Sequence, residues 1–162
     1  MPLLHPGDTF PQLTLNIPGS QAIQVPGWFA GDFGAVLFNR GAWCPYCTAQ
    51  LRAFQRAGDS LTQAGIGVAA LWVDDEKTTA EFTARQGLTF PLGHSADARA
   101  AAALTGAFVN EDPVYLQSTG FVLDPQGKVI VSVYSSGAIG RLVPEDVIGL
   151  ARYLREHAAA SS

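Results

Sequence analysis

The sequence predicts an α/β fold: a mixed central sheet with helices on both faces and an N-terminal β-hairpin. Three observations carry that expectation. Two continuous apolar runs, residues 35–38 and 66–73, have the character of strands buried on both faces. A helical stretch separates them, and a strand-helix-strand unit implies parallel pairing. Late in the chain two more apolar runs flank Asp124-Pro-Gln-Gly127, whose proline and glycine suit a type I turn, so antiparallel strands join the sheet.

Taken in order, residues 13–17 and 21–25 alternate around Pro18-Gly-Ser20 and read as a hairpin with an irregular turn. Residues 34–39 form the first buried strand. Pro45 opens a helix that runs to about Ala64 and stops at Gly65. The second buried strand, 66–73, ends in Asp74-Asp75, and a helix over 76–86 follows with Gly87 as its stop. Residues 89–92 are a short extended piece, followed by a helix from Asp97 to about Leu104. The stretch 105–117 has no clear period and reads as a loop over the site. Strands at 119–123 and 128–133 make the late hairpin. Pro144 then opens the last helix, with Val147, Leu150, Tyr153 and Leu154 on one stripe. The tail 158–162 reads as frayed, and with no repeat or linker the chain is expected to be one domain over 1–162.

Of the 162 residues 48% are apolar and 15% charged, the balance of a globular chain able to bury a core. The net charge of -4 and a pI near 5.2 argue against nucleic acid or an anionic membrane as partner. The opening Met-Pro-Leu-Leu-His-Pro-Gly-Asp lacks a basic region followed by an apolar stretch, and the apolar run 66–73 is too short to span a bilayer. A cytoplasmic location is therefore expected. In a reducing compartment two cysteines serve poorly as a structural staple, which favours catalytic or redox-sensing use.

Cys44 and Cys47 are the only cysteines, three apart where a strand hands over to a helix. If Pro45 is the first helical residue, Cys44 sits at the cap, where unpaired N–H groups and the positive dipole end stabilise a thiolate. Cys47, Leu51, Phe54, Gly58 and Leu61 fall on one stripe that faces the core. The spacing thus predicts an exposed, low-pKa nucleophile at Cys44 and a shielded resolving thiol at Cys47. Arg40 adds a cation four residues before Cys44. Trp43 is either a flat wall for a docking partner or a core residue at the strand end.

Other residues carry weaker signals. His5, His94 and His157 lack ligand spacing, so neither metal nor cofactor is expected. Asp74 and Asp75 read as a capping cluster rather than a proton-handling pair. Arg141 reads as a solvated loop arginine, with a reach to the cysteines as the alternative. His94 reads as a partly exposed loop histidine.

The box Trp43-Cys44-Pro45-Tyr46-Cys47 resembles the active-site box of thioredoxin-fold proteins, with the Pro-Tyr pair familiar from glutaredoxins. The segments 7–15, 87–92 and 121–128 are similar to corresponding parts of the peroxiredoxin-like (AhpC/TSA, redoxin) family. The resemblance implies a thioredoxin-like fold over most of the chain. It also implies two opposite assignments. On the thioredoxin template Cys44 attacks a disulfide and Cys47 resolves. On the peroxiredoxin template, with Gln50-Leu51 laid on the family's Glu-Leu, Cys47 attacks a peroxide and Cys44 closes the disulfide. Cys44 then stands where the family has threonine, Arg40 where it has proline, and Ser118 where it has an arginine. Thioredoxins and glutaredoxins carry a cis-proline near Ser118, and it is absent here.

Because the family's peroxide-holding threonine and arginine are missing, unless Arg40 or Arg141 substitutes, the expectation from sequence is a dithiol-disulfide oxidoreductase. A thiol-dependent, antioxidant peroxidase is the alternative, and a redox-sensing or partner-binding module is the second alternative. The partners expected are a protein or small-molecule disulfide, or a hydroperoxide, together with an external thiol reductant and a possible second copy of the chain.

Overall fold

The computed structural model describes residues 3–161. Nine strands and five α-helices follow one another among them: β1 (Leu13–Leu15), β2 (Ile23–Val25), β3 (Phe33–Phe38), α1 (Pro45–Arg56), α2 (Gly58–Gln63), β4 (Ile66–Leu71), α3 (Glu76–Gln86), β5 (Leu92–Gly93), α4 (Ala98–Thr105), β6 (Val109–Glu111), β7 (Val114–Leu116), β8 (Thr119–Leu123), β9 (Val129–Tyr134) and α5 (Pro144–Ser161). The central sheet has the order β5-β4-β3-β8-β9. β3, β4 and β5 pair in parallel, whereas β8 pairs antiparallel with both β3 and β9. The sheet is mixed, as the sequence predicts.

Alternation along β3 divides the core in two. Ala35 and Leu37 face Leu51 and Phe54 of α1, Leu61 of α2, Phe82 of α3 and Val147 and Ala151 of α5. Val36 and Phe38 face the opposite way, onto Leu13 and Leu15 of the N-terminal hairpin and Ala98 and Ala101 of α4. A strand covered on both faces has no polar side to show, which is why its sequence reads as one apolar run.

Local chemistry sets the ends of the helices. Asp75 caps α3 by accepting from the Thr78 N–H at 2.8 Å, and Gly87 ends it with φ 64°. Asp97 caps α4 in the same way through the Ala100 N–H. The helix predicted over 45–64 is divided at Ala57, whose ψ of 7° leaves the helical region next to Gly58, a weak helix former. The segment 105–117 is also not a loop: β6 and β7 form a short antiparallel hairpin within it. Two three-residue strands show too little alternation to be legible as sequence. α5 runs on through Ala158 to Ser161, where a frayed tail is predicted; Ser162 lies outside the described residues. No helix among the described residues is long and apolar enough to cross a membrane.

Candidate active site

The site forms where β3 runs out beside β4. Asn39 and Arg40 continue β3, the turn 41–43 follows, and α1 begins at Pro45 with Cys44 as its cap. Cys44 Sγ accepts from the Cys47 N–H at 3.3 Å, so a sulfur fills the place usually taken by a hydroxyl or carboxylate. Asp74, at the end of β4, pins the turn by accepting from the Ala42 N–H at 2.8 Å. The two aspartates therefore divide their work: Asp75 caps a helix and Asp74 holds the approach to the cysteines. Gly41 lets the Trp43 indole fold over the turn, since a Cβ there would lie 2.2 Å from its Nε1.

Both thiols are fully buried. This corrects the expectation of an exposed Cys44. A lid of side chains covers it: the Trp43 and Tyr115 rings meet edge to face, and the Arg40 guanidinium packs against both, 4.9 and 5.2 Å from their centroids. Arg40 is fixed by donating from Nε to Gln117 Oε1 and from Nη2 to the Tyr115 hydroxyl, both at 3.0 Å. Its Nη1 reaches Cys44 Sγ at 3.7 Å. Tyr115 sits on the hairpin at 109–116, so that segment does lie at the site, as structure rather than as a loop. Trp43 and Tyr46 are more than half exposed, which excludes the core reading of Trp43.

Arg141 is the residue the sequence reading misplaces. It is no solvated loop arginine. Its Nη2 donates to Cys47 Sγ at 3.1 Å and reaches Cys44 Sγ at 3.8 Å. Nη1 donates to Gln50 Oε1 at 2.7 Å and Asn39 Oδ1 at 3.2 Å, and Nε to the Ala138 carbonyl at 2.6 Å. Gln50 also donates to the Leu142 carbonyl, tying α1 to the loop that delivers the guanidinium. An arginine does reach the cysteines, from position 141 and not from position 118. Ser118 itself is buried and acts at one remove. Its backbone N–H donates to Gly137 and its carbonyl accepts from Ser135, anchoring the loop that carries Arg141.

Electrostatics separate the two sulfurs. Burial alone pushes the Cys44 thiol up, but hydrogen bonds from Cys47, a further one from Arg40 and the charge of Arg141 outweigh it, and the net shift is downward. Burial pushes the Cys47 thiol up as well, and there the hydrogen bond with Cys44 adds to the rise. Arg141 and the backbone N–H groups of Arg40 and Gly41 offset it only in part. The two shifts run in opposite directions, Cys44 down and Cys47 up, so the first ionisation of the coupled pair favours Cys44.

His94 is elsewhere, its ring against Ser95 and 3.8 Å from Glu76. Among the described residues no three His, Cys, Asp or Glu side chains gather at metal-binding distance.

The profile of the AhpC/TSA family matches residues 6–132. The chain belongs to the AhpC/TSA family. A "putative peroxiredoxin" of Mycobacterium tuberculosis is 32% identical over 146 residues, 86% of this chain and 90% of that protein. Among solved structures, the peroxidoxin BcpB of Mycobacterium tuberculosis superposes with a TM-score of 0.79 at 17% identity, over 93% of this chain and 97% of its own. Mycobacterium bovis AhpC gives 0.78 at 21%, over 96% and 94%. These structures share the thioredoxin fold seen here. As an AhpC/TSA protein with a paired cysteine site, the chain is a thiol-based, peroxiredoxin-like oxidoreductase.

Proposed function

We propose that the protein is a thiol-dependent peroxidase, with Cys47 as the attacking and Cys44 as the resolving cysteine. The observation that carries this reading is the Arg141 guanidinium 3.1 Å from Cys47 Sγ, fixed by Asn39 and Gln50. It supplies the donor that a peroxide oxygen needs while charge builds on it. Family membership and the relative's name point the same way. Full burial of both sulfurs counts against the disulfide reductase expected from sequence. Exchange with a protein disulfide needs an exposed thiolate, and neither sulfur is exposed, whereas a hydroperoxide is a far smaller reactant to admit past the Trp43–Tyr115 lid.

The chemistry uses the shared proton. As Cys47 Sγ attacks the terminal peroxide oxygen, its proton passes to the Cys44 thiolate. The S–O bond forms, the O–O bond breaks, and the leaving alkoxide takes that proton and departs as an alcohol. Cys47 is now a sulfenic acid and Cys44 again a thiolate. Cys44 then attacks the Cys47 sulfur, the S–S bond forms, and hydroxide leaves to be protonated to water. Two equivalents of an external thiol return the pair to the dithiol: the first opens the bridge as a mixed disulfide, and the second releases it as the external disulfide.

Steady-state turnover with a hydroperoxide and with a small-molecule disulfide, side by side, tests the reading. The expected result is turnover of the hydroperoxide that depends on Cys47. Turnover of the disulfide alone would overturn it.

A further inference from the structure

Two guanidiniums converge on the cysteine pair, and every group that fixes them is neutral. Arg40 is held by the Gln117 amide oxygen and the Tyr115 hydroxyl. Arg141 is held by the Asn39 and Gln50 amide oxygens and the Ala138 carbonyl. The ion pairs among the described residues, His94–Glu76 and Arg99–Glu111, involve neither arginine. A buried or half-buried cation is normally matched by a carboxylate. Here only the sulfurs answer, and with the pair singly ionised two cations face one anion.

The excess charge is also placed where a substrate would meet it. Arg141 bridges the two sulfurs, whereas the half-buried Arg40 packs against Tyr115 and against Trp43, a ring more than half exposed at the edge of the site. The molecule as a whole carries a net charge of -4, so this positive spot is local to the site and not a property of the surface.

We propose that the site is built for a peroxide that itself carries an anion: a hydroperoxide with a carboxylate a few bonds from its O–O, Arg141 engaging the peroxide at Cys47 and Arg40 the carboxylate. The inference rests on the peroxidase reading and adds the substrate class. The carboxylate is a spectator in the bond changes. Cys47 is oxidised to the sulfenic acid, the O–O bond is reduced, and the alcohol leaves with its carboxylate intact.

A matched set of three peroxides tests it: tert-butyl hydroperoxide, the same molecule with one methyl replaced by carboxymethyl, and the methyl ester of that acid. Each kcat/KM is divided by the peroxide's rate with free cysteine. The expected result for the unmodified protein is a preference for the acid over the ester of about tenfold or more, the worth of one charge-assisted hydrogen bond. The preference should shrink as ionic strength rises from about 0.01 M to about 1 M. Arg40→Gln should bring the ratio close to one, and Arg40→Lys should keep most of it. Gln50→Glu, which sets a carboxylate against Arg141, should lower it too. Equal rates for acid and ester in the unmodified protein, or a ratio unchanged in Arg40→Gln, would overturn the proposal and leave the arginines as thiolate donors only. If none of the three peroxides turns over, the peroxidase reading itself is what fails, and the proposal falls with it.

Discussion

At the residue scale the site turns on what each sulfur accepts. Cys47 has the close donor, Arg141 at 3.1 Å, and Cys44 has the lowered pKa. The two facts are compatible because one proton is shared between neighbours, so ionisation and attack need not fall on the same atom. Removing the guanidinium while keeping its bulk, in Arg141→Met, is expected to lower hydroperoxide kcat/KM by about 10²-fold or more, measured by stopped-flow, as for loss of one donor to a developing oxyanion. A loss within a factor of two would show that Arg141 is structural. The pH dependence follows from the direction at Cys44. A thiol whose pKa is lowered is ionised at lower pH, so activity should rise with pH through a midpoint below that of a free cysteine. Thiolate absorbance in the ultraviolet should titrate over the same range. A midpoint at or above the free value would contradict the donor arrangement.

At the element scale, the strands 33–38 and 66–71, the helix 76–86 and its two caps are legible in sequence, because apolar runs and capping residues are local signals. The burial of Cys44 is not, because its cover comes from three separate places: Arg40 and Trp43 before it, Tyr115 on the hairpin, and Arg141 before α5. Helix periodicity places Cys47 on the buried face, but says nothing about what lies over the cap. The reach of Arg141 to the cysteines, only an alternative in the sequence, is decided when β8 and β9 return antiparallel beside β3. Two substitutions probe these joints. Gly41→Ala should push the indole off the turn, visible as a shift in Trp43 fluorescence with faster alkylation of the thiols; unchanged alkylation would show that the lid does not control access. Thr79→Val removes the acceptor of the Trp72 Nε1 bond, 2.7 Å long and buried between β4 and α3. An orphaned indole N–H should cost roughly 1–3 kcal/mol in denaturant unfolding. A neutral result would mean that water replaces the hydroxyl.

At the scale of the whole molecule, the fold is a scaffold that brings one end of α1, the ends of β3 and β4 and the loop before α5 to two sulfur atoms. That body and those two atoms are legible in the sequence, which favours disulfide exchange because the family's threonine and arginine are absent and a substitute at Arg40 or Arg141 is only an alternative there. The structure brings Arg141 to Cys47 from the loop before α5. The central claim is that Cys47 attacks and Cys44 resolves. The most direct measurement is on the two single-cysteine variants, each given one equivalent of hydroperoxide in the presence of a sulfenic-acid trap and read by peptide mass. The account predicts a trapped sulfenate on Cys47 in Cys44→Ser, little reaction in Cys47→Ser, and loss of two hydrogens through an internal disulfide in the unmodified protein. A sulfenate trapped on Cys44 in Cys47→Ser, with Cys44→Ser inert, would contradict it.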